Sequence, residues 1–141
     1  MSRSDSFVTG VAKQEPRLHT PKELHNLAKS LTDTAHPDLG GDVNELSYRG
    51  ANKESAEGEC DKACRIAHDF LPHGSHQVMY DEHPRQINHF VHHVPTTEGT
   101  YVVDFTQRQF NAKAKFPVVE PVEKYNKRQS MKKFGRVTPQ G

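Results

Sequence analysis

The sequence predicts an α+β fold in which a cysteine-bearing helix packs on a small antiparallel β-sheet. Three stretches carry this prediction: an apolar-periodic run that begins at Cys60, and two alternating runs at residues 88–94 and 100–105. Alternation with a period of two indicates strands, and the five residues between these runs suit a hairpin turn. The helical run places one stripe of residues at steps of four, three and four, as a single buried helix face requires: Cys60, Cys64, Ala67 and Leu71.

Length and composition indicate one domain with loose ends. The chain has 141 residues, of which 33% are apolar, and this is low for a globular protein. We therefore expect a disordered tail at residues 1–18, a single catalytic domain at 19–134 and a C-terminal tail at 135–141. The 19 basic and 18 acidic residues nearly cancel. This balance argues against nucleic acid or an anionic membrane surface as a partner.

The chain shows no apolar run of the length that a membrane span or a signal peptide needs, which predicts a cytoplasmic protein. Its two cysteines stand one helical turn apart with similar side-chain directions, a poor geometry for a disulfide bond. We expect one reactive thiol and one small core residue. Phosphate-binding glycine motifs are absent from the sequence, and no cofactor is expected.

The remaining elements follow from local signals. Thr20, Pro21 and Glu23 form a capping box that starts a helix, which should end before His36. Residues 42–58 are polar and are interpreted as a loop that leads to Cys60. Shorter elements are predicted as a strand at 77–80, an edge strand at 116–119 and a short helix within 121–134.

Cys60 is the candidate nucleophile. A thiol attacks as the thiolate, and a helix N-terminus and an imidazolium neighbour both stabilise that form. Cys60 stands where the chain becomes helical, after Gly58 and Glu59, whereas Cys64 lies one turn further in, where the effect of the helix dipole has faded. The alternative for each cysteine is a small buried apolar residue.

His89 and Asp104 are the candidate base and orienting acid. His89 opens one predicted strand and Asp104 ends the next, so a tight hairpin brings both to the same end of the ladder. His92 and His93 lie nearer the turn and are interpreted as cross-strand or solvent-facing residues. For Asp104 the alternative is an acid that caps the following turn.

A metal site is the competing interpretation of the same residues. The candidate ligand groups are Cys60 with Cys64, His73 with His76, and His89 with His92 and His93. None has the paired C-x-x-C spacing or the H-E-x-x-H helix of a specific zinc motif, so no metal is predicted. The basic residues within 124–136 are interpreted as a solvated face, with docking of an acidic partner as the alternative.

The order G-E-C-D-K-A at residues 58–63, N-H-F-V at 88–91 and G-T-Y-V-V-D-F-T-Q-R-Q-F at 99–110 resembles the papain-like fold. It is most similar to the papain-fold toxins and protein glutamine deamidases. The resemblance implies a papain-like core with Cys60 as nucleophile, His89 as general base and Asp104 as orienting acid. A Gln at the usual upstream spacing is absent, so Asn52, Gln109 or the Cys60 backbone N–H is expected to bind the oxyanion or substrate.

The resemblance implies thiol-dependent hydrolysis of an amide in a protein substrate, with glutamine deamidation as the leading expectation. Two alternatives remain open. One is a cysteine protease or isopeptidase, which uses the same acyl-thioester chemistry. The other is a binding or inhibitory protein that keeps the fold without turnover.

Overall fold

The structure is a computed structural model, and it describes residues 17–33, 45–82, 87–132, 134 and 136–139. Its centre is a five-stranded antiparallel sheet with the order β4-β3-β2-β1-β5. The strands are β1 His76–Glu82, β2 Ile87–Thr96, β3 Gly99–Asp104, β4 Val118–Pro121 and β5 Arg136–Pro139. The described residues contain five α-helices beside it: α1 Pro21–Asp33, α2 Glu45–Gly50, α3 Lys53–Ala56, α4 Cys60–His68 and α5 Val122–Asn126. The predicted α+β class is confirmed.

The capping box at the start of α1 is present as predicted. The backbone N–H of Thr20 donates to Glu23 Oε1 at 2.8 Å, and the backbone N–H of Glu23 donates to Thr20 Oγ1 at 3.1 Å. The backbone hydrogen bond from Thr20 and the contact with Arg17 together lower the pKa of the Glu23 carboxyl to about 2. The predicted end of this helix before His36 falls beyond Asp33, outside the described residues, as does most of the predicted tail at 1–18.

The prediction of a loop at residues 42–58 is wrong, because the described part of this stretch contains α2 and α3. Both helices are too short to be stable alone, and tertiary packing accounts for them. Leu46 is fully buried in the core, and Gly50 approaches the sheet so closely that a Cβ there would lie 1.9 Å from the carbonyl oxygen of Phe105. Local sequence signals do not encode such contacts.

The central hairpin is longer than predicted. β2 pairs with β3 from His92 opposite Val103 to Thr96 opposite Gly99, and only Thr97 and Glu98 form the turn. Gly99 takes φ +101°, a conformation that favours glycine. On its other side β2 pairs with the whole of β1, from Ile87 opposite Glu82 to His93 opposite His76. The segment 87–91 of β2 therefore projects beyond the last paired residue of β3.

The prediction of a loose tail at 135–141 is wrong for residues 136–139, which form β5 and pair with β1. The short helix predicted within 121–134 is present as α5, followed by a 3₁₀ turn at Gln129–Met131. The predicted edge strand is shifted by two residues to Val118–Pro121, after a cis peptide bond before Pro117. A strand of four residues carries too little pattern to be located from sequence alone.

The sheet separates two apolar clusters, which we call the helix-side core and the tail-side core. Residues of β2 and β3 alternate between them, as strand geometry requires. The helix-side core consists of Leu24, Ala28, Leu31, Leu46, Ala63, Ala67, Val94, Val103 and Phe105. The tail-side core consists of Val78, Tyr80, Val91, Val102, Ala114, Val118, Tyr125, Met131 and Phe134. Among the described residues, no helix has the length and apolar content that crossing a bilayer requires.

The Leu46→Ala variant should lower the free energy of unfolding by about 2–5 kcal/mol, because it leaves a cavity where α2 enters the helix-side core. Leu18→Ala is the matched control, because Leu18 is 45% exposed and its loss should change stability by less than about 0.5 kcal/mol. Urea denaturation followed by circular dichroism measures both. Equal stability of the two variants would show that α2 is not packed as described.

Candidate active site

Cys60 is the first residue of α4, and three contacts fix its sulfur. Glu59 takes the N-cap position without a side-chain cap, and its carbonyl accepts the N–H of Ala63 at 2.9 Å. The Glu59 carboxylate pairs with Arg49, which ties the start of α4 to α2. The thiol donates to the carbonyl oxygen of Asn88 at 3.8 Å, and the side chain of His89 and the backbone of Phe90 are the neighbours that lower its pKa.

The projecting end of β2 explains how the helix reaches His89. Asn88 and Phe90 lie beyond the last paired residue of β3, so their backbone groups on that side have no partner in β3. The Cys60 sulfur contacts these two backbone groups instead. The start of α4 thereby occupies the position that a continuing β3 would take.

His89 and Asp104 lie on the same face of the sheet. Continuing the register by one residue sets Asp104 opposite Val91, which makes it a diagonal neighbour of His89. His89 Nε2 lies 2.9 Å from Asp104 Oδ2, and both side chains are fully buried. The predicted proximity of these two residues at one end of the hairpin is confirmed.

Every polar group that faces the Asp104 carboxylate is able to donate a hydrogen bond. The backbone N–H and the hydroxyl of Thr106 face Oδ1, at 2.8 and 3.5 Å. The Gln107 amide and the Tyr125 hydroxyl face Oδ2 beside His89, at 2.7 and 2.6 Å. Burial alone would raise the pKa of Asp104, but the His89 charge and these donors together lower it. Asp104 is therefore an ionised carboxylate.

An ionised Asp104 determines the tautomer of His89. A carboxylate only accepts, so Nε2 of His89 carries its proton and donates to Oδ2. The other ring nitrogen, Nδ1, is left for the thiol and for the Gln109 amide nitrogen, which lies 3.2 Å away. When the ring is neutral, Gln109 donates to Nδ1; when Nδ1 is protonated, its acceptor is the Cys60 sulfur.

The electrostatics favour a thiolate–imidazolium pair. Burial opposes both charges, yet the hydrogen bond and charge of His89 lower the pKa of the Cys60 thiol. Burial likewise opposes the charged ring of His89, but the Asp104 charge and the contacts with Asp104 and Cys60 raise its pKa to about 9. The lowered pKa of the thiol and the raised pKa of the imidazole both favour transfer of the proton from sulfur to Nδ1.

Cys64 lies in a different environment, although it is only one turn away. It is 3% exposed, and burial raises the pKa of its thiol well above the ordinary value, with the charge of Asp104 adding to this. Its carbonyl oxygen accepts a hydrogen bond from His92 Nε2 at 2.9 Å. Both cysteines are free thiols. Cys64 therefore has the character of a core residue, and His92 fixes α4 against β2.

Aromatic rings complete the walls around His89. Phe110 meets the His89 ring edge to face at a centroid distance of 4.8 Å, and Phe134 lies 6.0 Å away on the tail side. With Asp104 on one edge and these rings beside it, the imidazole has no alternative orientation that keeps its hydrogen bonds. Cys60 retains 7% exposure and His89 none, so the thiol is recessed.

Of the two predicted oxyanion or substrate-binding residues, Gln109 is the one that the described residues show in contact with His89. Its amide oxygen accepts the N–H of Gly58 at 3.4 Å while its amide nitrogen faces His89. Asn52 lies exposed in the bend before α3, where its carbonyl accepts the N–H of Ala56. No contact between Asn52 and Cys60 or His89 appears among the described residues.

Sequence reasoning did not assign Gln107, Tyr125 or Ser130 to the site. The Ser130 hydroxyl donates to Gln107 Oε1, and Gln107 Nε2 also lies 3.1 Å from the Tyr125 hydroxyl. The D-x-T spacing at Asp104 and Thr106 is an Asx-turn signal that marks the first part of this network. Tyr125 stands on α5, far along the chain, and no local pattern points to it.

The other histidines do not assemble a metal site in the part of the chain described here. No group of three or more His, Cys, Asp or Glu residues is arranged to hold an ion there. His92 stacks on His68 and His93 meets His76 edge to face, each at 5.7 Å. Burial lowers the pKa of both His92 and His93 to about 4, so both rings are neutral near neutral pH.

Comparison of the chain with protein-family models, curated proteins and solved structures gave no match. The site is therefore interpreted from its own geometry. A recessed thiol, an imidazole in a fixed tautomer and a buried carboxylate form a set of groups suited to nucleophilic attack on a carbonyl carbon.

Iodoacetamide should alkylate Cys60 faster than free cysteine at neutral pH. Because its pKa is lowered, the thiolate persists as the pH falls below about 8.5 and is lost only at the lowered value. His89→Ala removes the main stabilising partner, so the inflection should move to higher pH and the rate at pH 7 should fall about tenfold or more. Mass spectrometry of the alkylated peptide measures this.

Cys64→Ala serves as the control and should keep the wild-type profile, because Cys64 is buried with a raised pKa. An alkylation rate at Cys60 that does not change in His89→Ala would contradict an activated thiol.

Proposed function

We propose that the protein is a cysteine hydrolase that deamidates glutamine side chains of a protein substrate, on a papain-like core. The observation that carries the proposal is the buried, hydrogen-bonded pair of His89 and Asp104 beside the Cys60 thiol, whose pKa His89 lowers. Its setting would be the cytoplasm, where reducing conditions keep both cysteines as free thiols.

The first half-reaction forms a thioester. The Cys60 thiolate attacks the carbonyl carbon of the glutamine amide, and the carbonyl oxygen becomes an oxyanion. Candidate donors to that oxygen are the Cys60 backbone N–H at the start of α4 and the Gln109 amide nitrogen. The carbon–nitrogen bond then breaks, and His89 Nδ1 gives its proton to the departing ammonia.

The second half-reaction releases the product. The neutral His89 ring accepts a proton at Nδ1 from a water molecule, which attacks the thioester carbon. The carbon–sulfur bond breaks, the thiolate is restored and the glutamine leaves as glutamate. Throughout, Asp104 keeps the proton on Nε2 and stabilises the imidazolium.

The recessed thiol supports deamidation over chain cleavage. Cys60 is 7% exposed and His89 is fully buried. A glutamine side chain projects its amide at the end of a slender stem and is suited to reach such a position. A peptide bond within a main chain would bring two flanking backbone segments against the same opening. Proteolysis or isopeptide cleavage by the same chemistry is the alternative outcome of the assay below.

Incubation with candidate protein substrates, followed by mass spectrometry, should reveal Gln converted to Glu in an uncut chain. Cys60→Ala and His89→Ala should each reduce the rate at least about 10³-fold, because the nucleophile and its base act as one unit. The rate should fall below the lowered Cys60 pKa and again above about 9, where His89 loses the proton that the leaving group needs.

Cys64→Ala is the matched control and should retain activity. If the substrate chains are cut and not deamidated, the activity is proteolysis and the proposal of deamidation is wrong. Binding of the substrate without any Cys60-dependent product would indicate a non-catalytic binding protein.

Gln109→Ala should reduce kcat about 10²-fold with little change in KM, because an oxyanion donor acts mainly in the transition state. Asn52→Ala, the same change at the other candidate position, should leave kcat within about twofold, because the Asn52 side chain is exposed in the bend before α3. Steady-state kinetics on the substrate found above measure both. A larger loss of kcat in Asn52→Ala than in Gln109→Ala would identify Asn52 as the oxyanion donor.

A further inference from the structure

A basic cleft of about 550 Å³ lies along the exposed edge of the sheet at β4. Three apolar residues line it, Ala114, Val118 and Val119, which we call its floor, and lysines line it from two segments, which we call its two walls. Lys113 and Lys115 stand on the loop before β4, and Lys124 and Lys127 stand at α5. None of the elements that form this cleft contributes the reacting groups of the thiol site.

The four lysines carry charge that is not compensated locally. All four are exposed, and none forms an ion pair with an acid of the described residues. Glu120 is the one acid among the lining residues, and Arg128 occupies it with two hydrogen bonds of 2.6 and 2.9 Å. The cleft therefore offers lysine ammonium groups on both walls to an anion.

The shape and chemistry of the cleft favour an extended acidic polypeptide. Its charges are spread over two walls on flexible side chains, whereas a compact phosphate site gathers backbone N–H groups at a helix start or glycine loop. Among the described residues that line it there is no phenylalanine, tyrosine or tryptophan, although single-stranded nucleic acids are commonly bound by stacking on such rings. The apolar floor can pack against the aliphatic parts of the side chains of a bound polypeptide.

The cleft and the thiol site share a short segment. Asn111 lines the cleft, and Gln109, two residues earlier, faces His89. Lys124 lines the cleft from α5, and the next residue, Tyr125, donates to Asp104. The cleft and the thiol site are therefore connected through residues 109–111 and through α5.

We propose that this cleft binds an acidic, extended segment of the protein substrate and holds that substrate near Cys60. The inference rests on the proposed function for the identity of the bound protein as substrate. The binding step itself requires no chemistry at Cys60, so the two are tested separately.

Fluorescence anisotropy with a fluorescein-labelled oligoglutamate tests the cleft directly, using the full-length Cys60→Ala protein. The peptide should bind, binding should weaken with added salt, and an oligoserine of the same length should not bind. Lys113→Gln with Lys127→Gln should weaken oligoglutamate binding about tenfold, since each exposed charge pair contributes modestly. The control pair, Lys22→Gln with Lys62→Gln, removes the same charge from exposed lysines outside the cleft and should change the affinity less than about twofold.

Equal weakening by both pairs, or no binding of oligoglutamate, overturns the proposal. Tighter binding of a single-stranded oligothymidylate that competes for the same lysines overturns it in favour of nucleic acid. Alkylation of Cys60 in the Lys113→Gln, Lys127→Gln protein should match the wild type. If oligoglutamate binds as expected but the Cys60 thiol is not activated, the proposal that the cleft binds acidic peptides stands and the hydrolase function is wrong.

Discussion

The interaction on which this site depends is the burial of one negative charge, that of Asp104. An unpaired carboxylate in a protein interior is strongly unfavourable, and losing one partner of a buried pair costs about 3–5 kcal/mol. Here the charge is matched by donors from β2, from the turn after β3 and from α5. The same hydrogen bonds that stabilise the carboxylate also hold these three segments in position. The site and the tail-side core are therefore one folded unit.

The same arrangement explains how separated parts of the chain reach one point. β2 supplies His89, β3 supplies Asp104, and α4 supplies Cys60 from the opposite face of the sheet. The sulfur reaches His89 because β2 is longer than its partner. Two further contacts, of Arg49 with Glu59 and of His92 with the Cys64 carbonyl, anchor α4 at its start and one turn later.

Much of this could be predicted from the sequence wherever the signal was local. The capping box at Thr20, the helix at Cys60 and the hairpin that joins His89 to Asp104 each have a periodic or spacing pattern. No such pattern marks the helix around Leu46, the strand at 136–139 or the role of Tyr125. Their positions depend on contacts between distant segments, and short elements carry too few residues for a pattern to appear. Asn52 was offered in place of the upstream Gln that the resemblance implies, and it lies exposed in the bend before α3.

The contact of the thiol with the backbone of β2 has a consequence for sequence variation. Asn88 and Phe90 hold the sulfur through main-chain groups that every residue except proline possesses in full. The identities of those two side chains are therefore not constrained by the placement of the nucleophile. His89 between them is constrained, because its contact is made by the ring itself. Related chains could differ freely at the flanking positions and still present the sulfur to the imidazole in the same way.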